Sequence, residues 1–270
     1  MSKFSLRLMA VGIFACAVPA FGQINDGFET YPAGNLPPQG GWIDFGGSQP
    51  ITVSTVQAHS GTKSMRLSEG TDTQGGTTTG YGSDVYKNFL PAGGYTNLTH
   101  SAVQFSYWQY IDPGVDSVMF NYISTGRMPA TFQTGLDLRA DAPNQYTFGS
   151  SMLAVQDLGT PPAPTLAGNP RPLVFGRWAQ HVVSVNLTAN TYNYSYDGFQ
   201  MVTAGQWDTT PGDGISIAGI NFWNQLRNTN AINDFVYYDD FATVATAVPE
   251  PASIALLGFG ALAAARRRRA

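Results

Sequence analysis

Trp108 and Tyr110 stand one residue apart in a stretch whose side chains alternate in character. Successive side chains of a strand point to opposite faces. Val103, Phe105, Tyr107 and Ile111 therefore fall on one side, and Gln104, Ser106, Trp108 and Tyr110 on the other. Aromatic faces that stack on the C–H face of a sugar ring, with amides and carboxylates to take its hydroxyls, are the chemistry such a surface could do. Trp223, with Asn221 and Asn224 near it in sequence, is a second candidate, and Trp178 and Trp207 are further ones. The competing assignment for each ring is the core of a β-sandwich.

Nucleophilic and zinc chemistry find little support. His59, His100 and His181 are scattered, with no His-x-x-x-His or His-Glu pairing, and no Gly-x-Ser-x-Gly elbow occurs. Cys16 is the single cysteine and lies in a leader-like segment, so a mature domain would lack disulfides, thiolate metal sites and cysteine catalysis. An active site built on aspartates alone, such as Asp137 with Asp141, stays open. Asn97-Leu98-Thr99, Asn186-Leu187-Thr188 and Asn193-Tyr194-Ser195 match a glycosylation pattern and are taken as chance.

The elements that must position these residues read as strands. Gly, Thr, Ser, Asn, Tyr and Phe dominate the middle of the chain, and no Leu/Ala helical periodicity occurs before residue 250. Val183, Val185 and Leu187 share one face. Tyr192, Tyr194 and Tyr196 share a face of the next strand, which ends in a turn at Asp197-Gly198, so the two form part of a meander. Residues 215–223 and 235–244 are two more strands. A Gly/Thr loop at 71–82 and a proline-rich excursion at 160–172 interrupt the pattern. The expected fold is all-β: a two-sheet antiparallel sandwich over 23–247, with helices confined to an N-terminal signal and a C-terminal apolar segment.

Charge separates along the chain. Residues 1–22 have Lys3 and Arg7, then an uncharged apolar run at 8–18 and small residues at 18–22, the form of a secretory signal cut by signal peptidase after Ala20 or Gly22. Ile13-Phe14-Ala15 before Cys16 fits a lipoprotein anchor poorly. The domain retains eight basic against seventeen acidic side chains, a balance that disfavours nucleic acid and suits calcium or neutral sugars.

Residues 248–270 have three parts: Val248-Pro249-Glu250-Pro251, an uncharged apolar run over 252–265, and Arg266, Arg267, Arg268 and Arg269. The prolines keep the backbone extended, as a protease needs it. The apolar run spans only ~21 Å as a helix, short for a permanent anchor. The arginines would stay on the cytoplasmic side. This order resembles the PEP-CTERM sorting signal. The resemblance implies an exported bacterial protein, anchored transiently in the inner membrane, processed by an exosortase near Pro249-Glu250-Pro251, and found at the surface or in the exopolysaccharide matrix of biofilm- or floc-forming bacteria.

Three further patches resemble concanavalin A-like, or LamG-like, jelly rolls: Asp26-Gly27-Phe28-Glu29 with Tyr31, Gly34 and Trp42; the 59–67 segment His-Ser-Gly-Thr-Lys-Ser-Met-Arg-Leu; and Tyr237-Tyr238-Asp239-Asp240-Phe241. The resemblance implies a fold, not an activity. Related modules hold a structural calcium where first and last strands meet, so it implies Asp26, Glu29, Asp239 and Asp240 as calcium ligands. Laminarinase-like relatives cleave glycans with a Glu-x-Asp-x-x-Glu strand. Here the domain has only Glu29 and Glu69, and neither sits in that pattern. The expected function is non-catalytic polysaccharide binding through Trp108, Tyr110 and Trp223. A glycan-cleaving enzyme of the same fold and a purely structural matrix protein are the alternatives.

Overall fold

The computed structural model describes residues 24–47, 49–68, 81–89, 94–113, 115, 117–124, 135–141, 152–157, 165–166, 171–208, 215–226 and 235–248. The signal segment at 1–22, Pro249, Glu250, Pro251, the apolar run and the arginine cluster lie outside the described residues, as does Glu69. Asp137 and Asp141 are described in backbone only.

In chain order the strands are β1 (Asn25–Asp26), β2 (Gly34–Asn35), β3 (Trp42–Asp44), β4 (Thr52–Ser54), β5 (Ser64–Ser68), β6 (Tyr81–Asn88), β7 (Tyr95–Thr96), β8 (His100–Ile111), β9 (Ser117–Ser124) and β10 (Gly135–Asp141). They continue with β11 (Met152–Asp157), β12 (Thr165–Leu166), β13 (Arg171–Pro172), β14 (Trp178–Asn186), β15 (Thr191–Tyr196), β16 (Phe199–Gln206), β17 (Ser216–Ile217), β18 (Gly219–Leu226) and β19 (Phe235–Ala247). Apart from a 3-10 turn at Gln39–Gly41, the described residues contain no helix, and so none that is long and apolar enough to cross a membrane. A nine-stranded sheet runs β16-β15-β14-β8-β19-β5-β4-β2, with β1 beside β19. An eight-stranded sheet runs β12-β11-β10-β9-β18-β6-β3, with β13 beside β11. Every pairing within them is antiparallel.

The two sheets face each other through the alternation read from the sequence. Val103, Phe105, Tyr107, Val183, Val185, Tyr192, Tyr194 and Tyr196 are buried on the inner side of the nine-stranded sheet. Tyr107 meets Phe222 of the opposite sheet at 5.3 Å, and Phe222 meets Tyr238 at 4.4 Å. Each such ring contributes roughly 1.5–3 kcal/mol by leaving water. The meander forms as expected: Asp197 (φ 50°) and Gly198 (φ 77°) make the tight turn between β15 and β16. One expectation needs correction. Residues 215–223 are not one strand: β17 pairs with β7 in a separate two-stranded sheet, and β18 joins the eight-stranded one. The chain changes partners at Ala218-Gly219, where a side chain at Gly219 would lie 2.8 Å from the Lys87 carbonyl.

Candidate functional site

The three jelly-roll patches converge on β19, which pairs with both β1 and β5. A bulge between Asp239 and Ala242 interrupts the pairing of β19 with β8, and Asp240 takes a left-handed φ of 49° within it. Bulges of this kind re-aim side chains, and here both carboxylates meet the 59–63 loop. Asp239 Oδ2 accepts from the His59 N–H (2.8 Å) and the Ser60 N–H (3.2 Å). Asp239 Oδ1 accepts from the Asp240 N–H at 2.8 Å. Asp240 pairs with His59 Nδ1 and accepts from Ser60 Oγ, both at 2.6 Å. Glu29 Oε1 accepts from the Thr62 N–H (2.8 Å) and the Lys63 N–H (2.7 Å), and its Oε2 accepts from Thr62 Oγ1 at 3.0 Å. Led by the Thr62 N–H, these bonds hold the Glu29 carboxyl below the usual carboxylate range. Burial pushes Asp239 up to about 6 despite its backbone donors. Gly61 sits at φ +63°, where an added side chain would lie 2.5 Å from Glu29 Oε1.

Asp26 belongs to a different group. Its Oδ2 accepts from Lys87 Nζ (2.6 Å), Trp42 Nε1 (2.9 Å) and Tyr31 Oη (3.0 Å). The four carboxylates that the resemblance assigned to calcium thus work as separate acceptors of protein hydrogen bonds. Among the described residues no three His, Cys, Asp or Glu side chains are placed to share a metal. The residues present do not fit the ion as a shared ligand set.

The aromatic candidates divide between opposite faces. Trp108, Tyr110 and Trp178 lie on the outer face of the nine-stranded sheet, half-buried, with Trp178 paired to Tyr110 across β14 and β8. His59 stacks on Trp108 at 3.8 Å and 14°, and meets Trp178 edge-on at 5.7 Å. Trp223 lies on the outer face of the eight-stranded sheet, so the structure does not bring it together with Trp108 and Tyr110. Trp207 is buried, and its indole N–H donates to the Ser216 carbonyl at 2.7 Å; it is core.

The outer face around Trp223 has its own organisation. Cross-strand partners share a face of a sheet, and Ile43, Tyr86, Asn221 and Tyr122 are paired in turn across β3, β6, β18 and β9. Backbone register continues this row to Asp137 and Gln156. In the adjoining row Asp84 is paired with Trp223. Asn221 is only 1% exposed although it points away from the opposing sheet. Its Nδ2 donates to Asp84 Oδ1 at 2.6 Å and to the Val85 carbonyl at 3.1 Å. Burial first, and the Asp44 charge after it, push Asp84 up to about 6 against the pull of the Asn221 bond. Phe45 (37% exposed) packs edge-on against Tyr86 at 5.6 Å and, with Ile43 (40% exposed), gives the row an apolar rim. The surface therefore offers a half-buried carboxylate, held by a buried amide, near the half-buried rings of Tyr122 and Trp223.

Sequence reading named Asn221 and Trp223 but missed Asp84, Tyr86 and Tyr122. The signal was in the sequence: Asp84 and Tyr86 occupy alternate positions with Ser83 and Val85, although Tyr86 too is buried, by its outer-face neighbours. A strand over 81–88 puts them on one face.

The interior holds a polar chain that joins the sheets. His181 Nε2 donates to Gln109 Oε1 (3.0 Å), because a carboxamide oxygen can only accept. Gln109 Nε2 donates to Tyr238 Oη (3.0 Å), Tyr238 Oη to Asn121 Oδ1 (3.0 Å), and Asn121 Nδ2 to Tyr107 Oη (2.9 Å). His181 Nδ1 then accepts from Tyr194 Oη at 2.9 Å. Burial pushes the His181 imidazole down to about 3, so it is neutral. All six side chains are buried, and the chain acts within the core.

Residues 247–269 match the family described as the PEP-CTERM protein-sorting motif. The chain therefore carries the signal of an exported protein that is anchored transiently in the membrane and processed by an exosortase. The sandwich resembles solved structures of carbohydrate-active and carbohydrate-binding proteins. Alginate lyase Aly36B, as a mutant in complex with alginate tetrasaccharide, aligns at a TM-score of 0.55 with 12% identity over 85% of this chain and 99% of the lyase. The carbohydrate recognition domain of Emp47p aligns at 0.51 with 11% identity, over 83% of this chain and 95% of that one. A sialidase aligns at 0.53 with 8% identity, over 83% of this chain but only 18% of the sialidase. At these identities the likeness is one of fold: a jelly-roll sandwich. Comparison with curated proteins returned no match.

Proposed function

We propose that this exported protein acts at the cell surface or in its matrix and binds polysaccharide, without cleaving it, on the outer face of the eight-stranded sheet. The observation that carries the reading is the Tyr86–Asn221–Tyr122 row with Asp84 and Trp223 beside it. The half-buried carboxylate of Asp84 accepts from sugar hydroxyls, the buried Asn221 amide holds that carboxylate in place, and the half-buried rings of Trp223 and Tyr122 stack on the apolar sugar face. The acidic balance of the domain favours neutral glycans over polyanions.

Affinity electrophoresis in gels containing neutral β-glucan, or exopolysaccharide from the source cells, tests this. Wild type should be retarded, and Trp223→Ala should bind at least tenfold more weakly, about 1.4 kcal/mol. Equal mobility with and without glycan for wild type would favour a purely structural matrix protein.

One observation favours the glycan-cleaving alternative. A carboxyl held near pH 6 on a ring-lined surface is the kind of group that serves as a general acid. Release of reducing ends from a polysaccharide panel by wild type, abolished in Asp84→Asn, would establish that reading instead.

A further inference from the structure

We infer that the opposite outer face, at Trp178, Tyr110 and His59, is a second carbohydrate site, so that one domain bridges two glycan chains. The ligand class is the same, neutral hydroxyl-rich sugar rings, but the residues and the direction of approach are different.

Outer positions of a two-sheet sandwich face water and are ordinarily polar. Here three large rings occupy neighbouring outer positions on the two adjacent strands β8 and β14; the 59–63 loop packs on Trp108, Tyr237 meets Tyr110 edge-on at 6.0 Å, and all three rings stay half-exposed. Tyr110 and Trp178 lie 5.6 Å apart at 57°, and Trp178 stands edge-on to His59. Trp108 is covered on one side by the stacked His59 ring and serves as its seat rather than as a sugar platform. Trp178 and Tyr110 are the rings that remain to stack.

The imidazole supplies the polar contact. His59 Nδ1 is engaged by Asp240, which turns Nε2 away from that carboxylate, and the side chain is 28% exposed. Its backbone is fixed by Asp239, and the rest of its loop by Glu29. A hydroxyl-binding atom held by three carboxylate anchors and a stacking floor loses little freedom on binding, which is the condition for useful affinity in a shallow site. The converging acids thus have a consequence beyond the fold: they hold His59 beside Trp178. Because this face and the Trp223 face are the two outer sides of one sandwich, a sugar chain on one cannot reach the other, and occupation of both links two chains.

Isothermal titration with laminarihexaose and cellohexaose, with alginate hexasaccharide as the acidic control, measures the number of sites. Agglutination of glycan-coated beads measures bridging. Wild type should bind two neutral hexasaccharides and agglutinate beads. Trp178→Ala should bind one and lose agglutination, and Tyr110→Ala should behave alike, with an unchanged far-ultraviolet dichroism spectrum as the folding control. Trp223→Ala should also bind one, and the double variant Trp178→Ala/Trp223→Ala none. A wild-type stoichiometry of one, or unaltered agglutination in both Trp178→Ala and Tyr110→Ala, would overturn the second site. If Trp223→Ala alone changes nothing while Trp178→Ala abolishes binding, the second face stands and the primary reading falls.

Discussion

Asp239 and Asp84 are both pushed up to about 6 by burial, yet they sit in opposite situations. Asp239 accepts three backbone N–H groups, from His59, Ser60 and Asp240. Those donors belong to the 59–60 loop and to the β19 bulge and cannot leave without opening the backbone there. Among the described residues Asp84 accepts from one side-chain amide, that of Asn221, on a face lined by rings. A sugar hydroxyl can join or replace that contact without disturbing the backbone. The same titration shift thus accompanies a structural acid at the clamp and, on the proposed reading, a binding acid on the sheet, and the partners of the carboxylate, not its pKa, tell them apart.

The largest expected effect separates both regions from the core. The His181 imidazole takes a proton near pH 6.5 when unfolded and only near about 3 when folded. The unfolded chain binds more protons in that window, so His181 lowers stability progressively as pH falls from 6.5 toward 3, by about 1.4 kcal/mol per unit. Asp84 and Asp239 act with opposite sign: each binds its proton more tightly when folded, so each loses stability as pH rises from 3.8 through about 6. Urea midpoints measured across pH 3–7 should fall more steeply toward acid for wild type than for His181→Gln. Parallel profiles would remove the histidine from the account.

Next in size is the contrast between the two aspartates themselves. Asp239→Ala strands three backbone donors and should destabilise by about 2–4 kcal/mol. Asp84→Ala should cost less than about 1 kcal/mol in a thermal melt and act on glycan retention instead. Equal losses of stability would erase the distinction drawn between them.

Smallest is the effect of a chelator. Glu29, Asp239 and Asp240 meet backbone and side-chain donors rather than one another, so EDTA should leave the Tm unchanged in metal-free buffer. A lowered Tm would show a cation that these hydrogen bonds do not account for.

Much of this was legible from the amino acids. Alternation at 103–111, 183–187 and 192–196 is local, and a strand's period of two reports directly which side faces the core. The three degenerate jelly-roll patches marked residues that do meet in space, at the 59–63 loop. What they do there was not legible. The identity of an acid does not say whether its partner is an ion or an N–H, and that depends on a bulge at Asp239–Ala242 and a left-handed Asp240 that no composition announces. For the aromatic candidates it is the grouping that was not legible. Trp108 and Trp223 have the same sequence signature, but sheet membership is a long-range property and puts them on opposite sides. The Asp84–Asn221 contact joins residues 137 apart in sequence, beyond the reach of any local pattern.

On the proposed reading the outer faces, and the eight-stranded one first, meet the glycan. The five tryptophans report on it residue by residue. In a nitrogen-15 correlation spectrum with assigned indole signals, titration with a neutral hexasaccharide should shift Trp223, and with it Trp178. Trp42, bonded to Asp26, and Trp207, bonded to the Ser216 carbonyl, should stay still. A saturating titration that moves no indole signal, or that moves Trp42 and Trp207 while Trp223 stays fixed, would contradict the account.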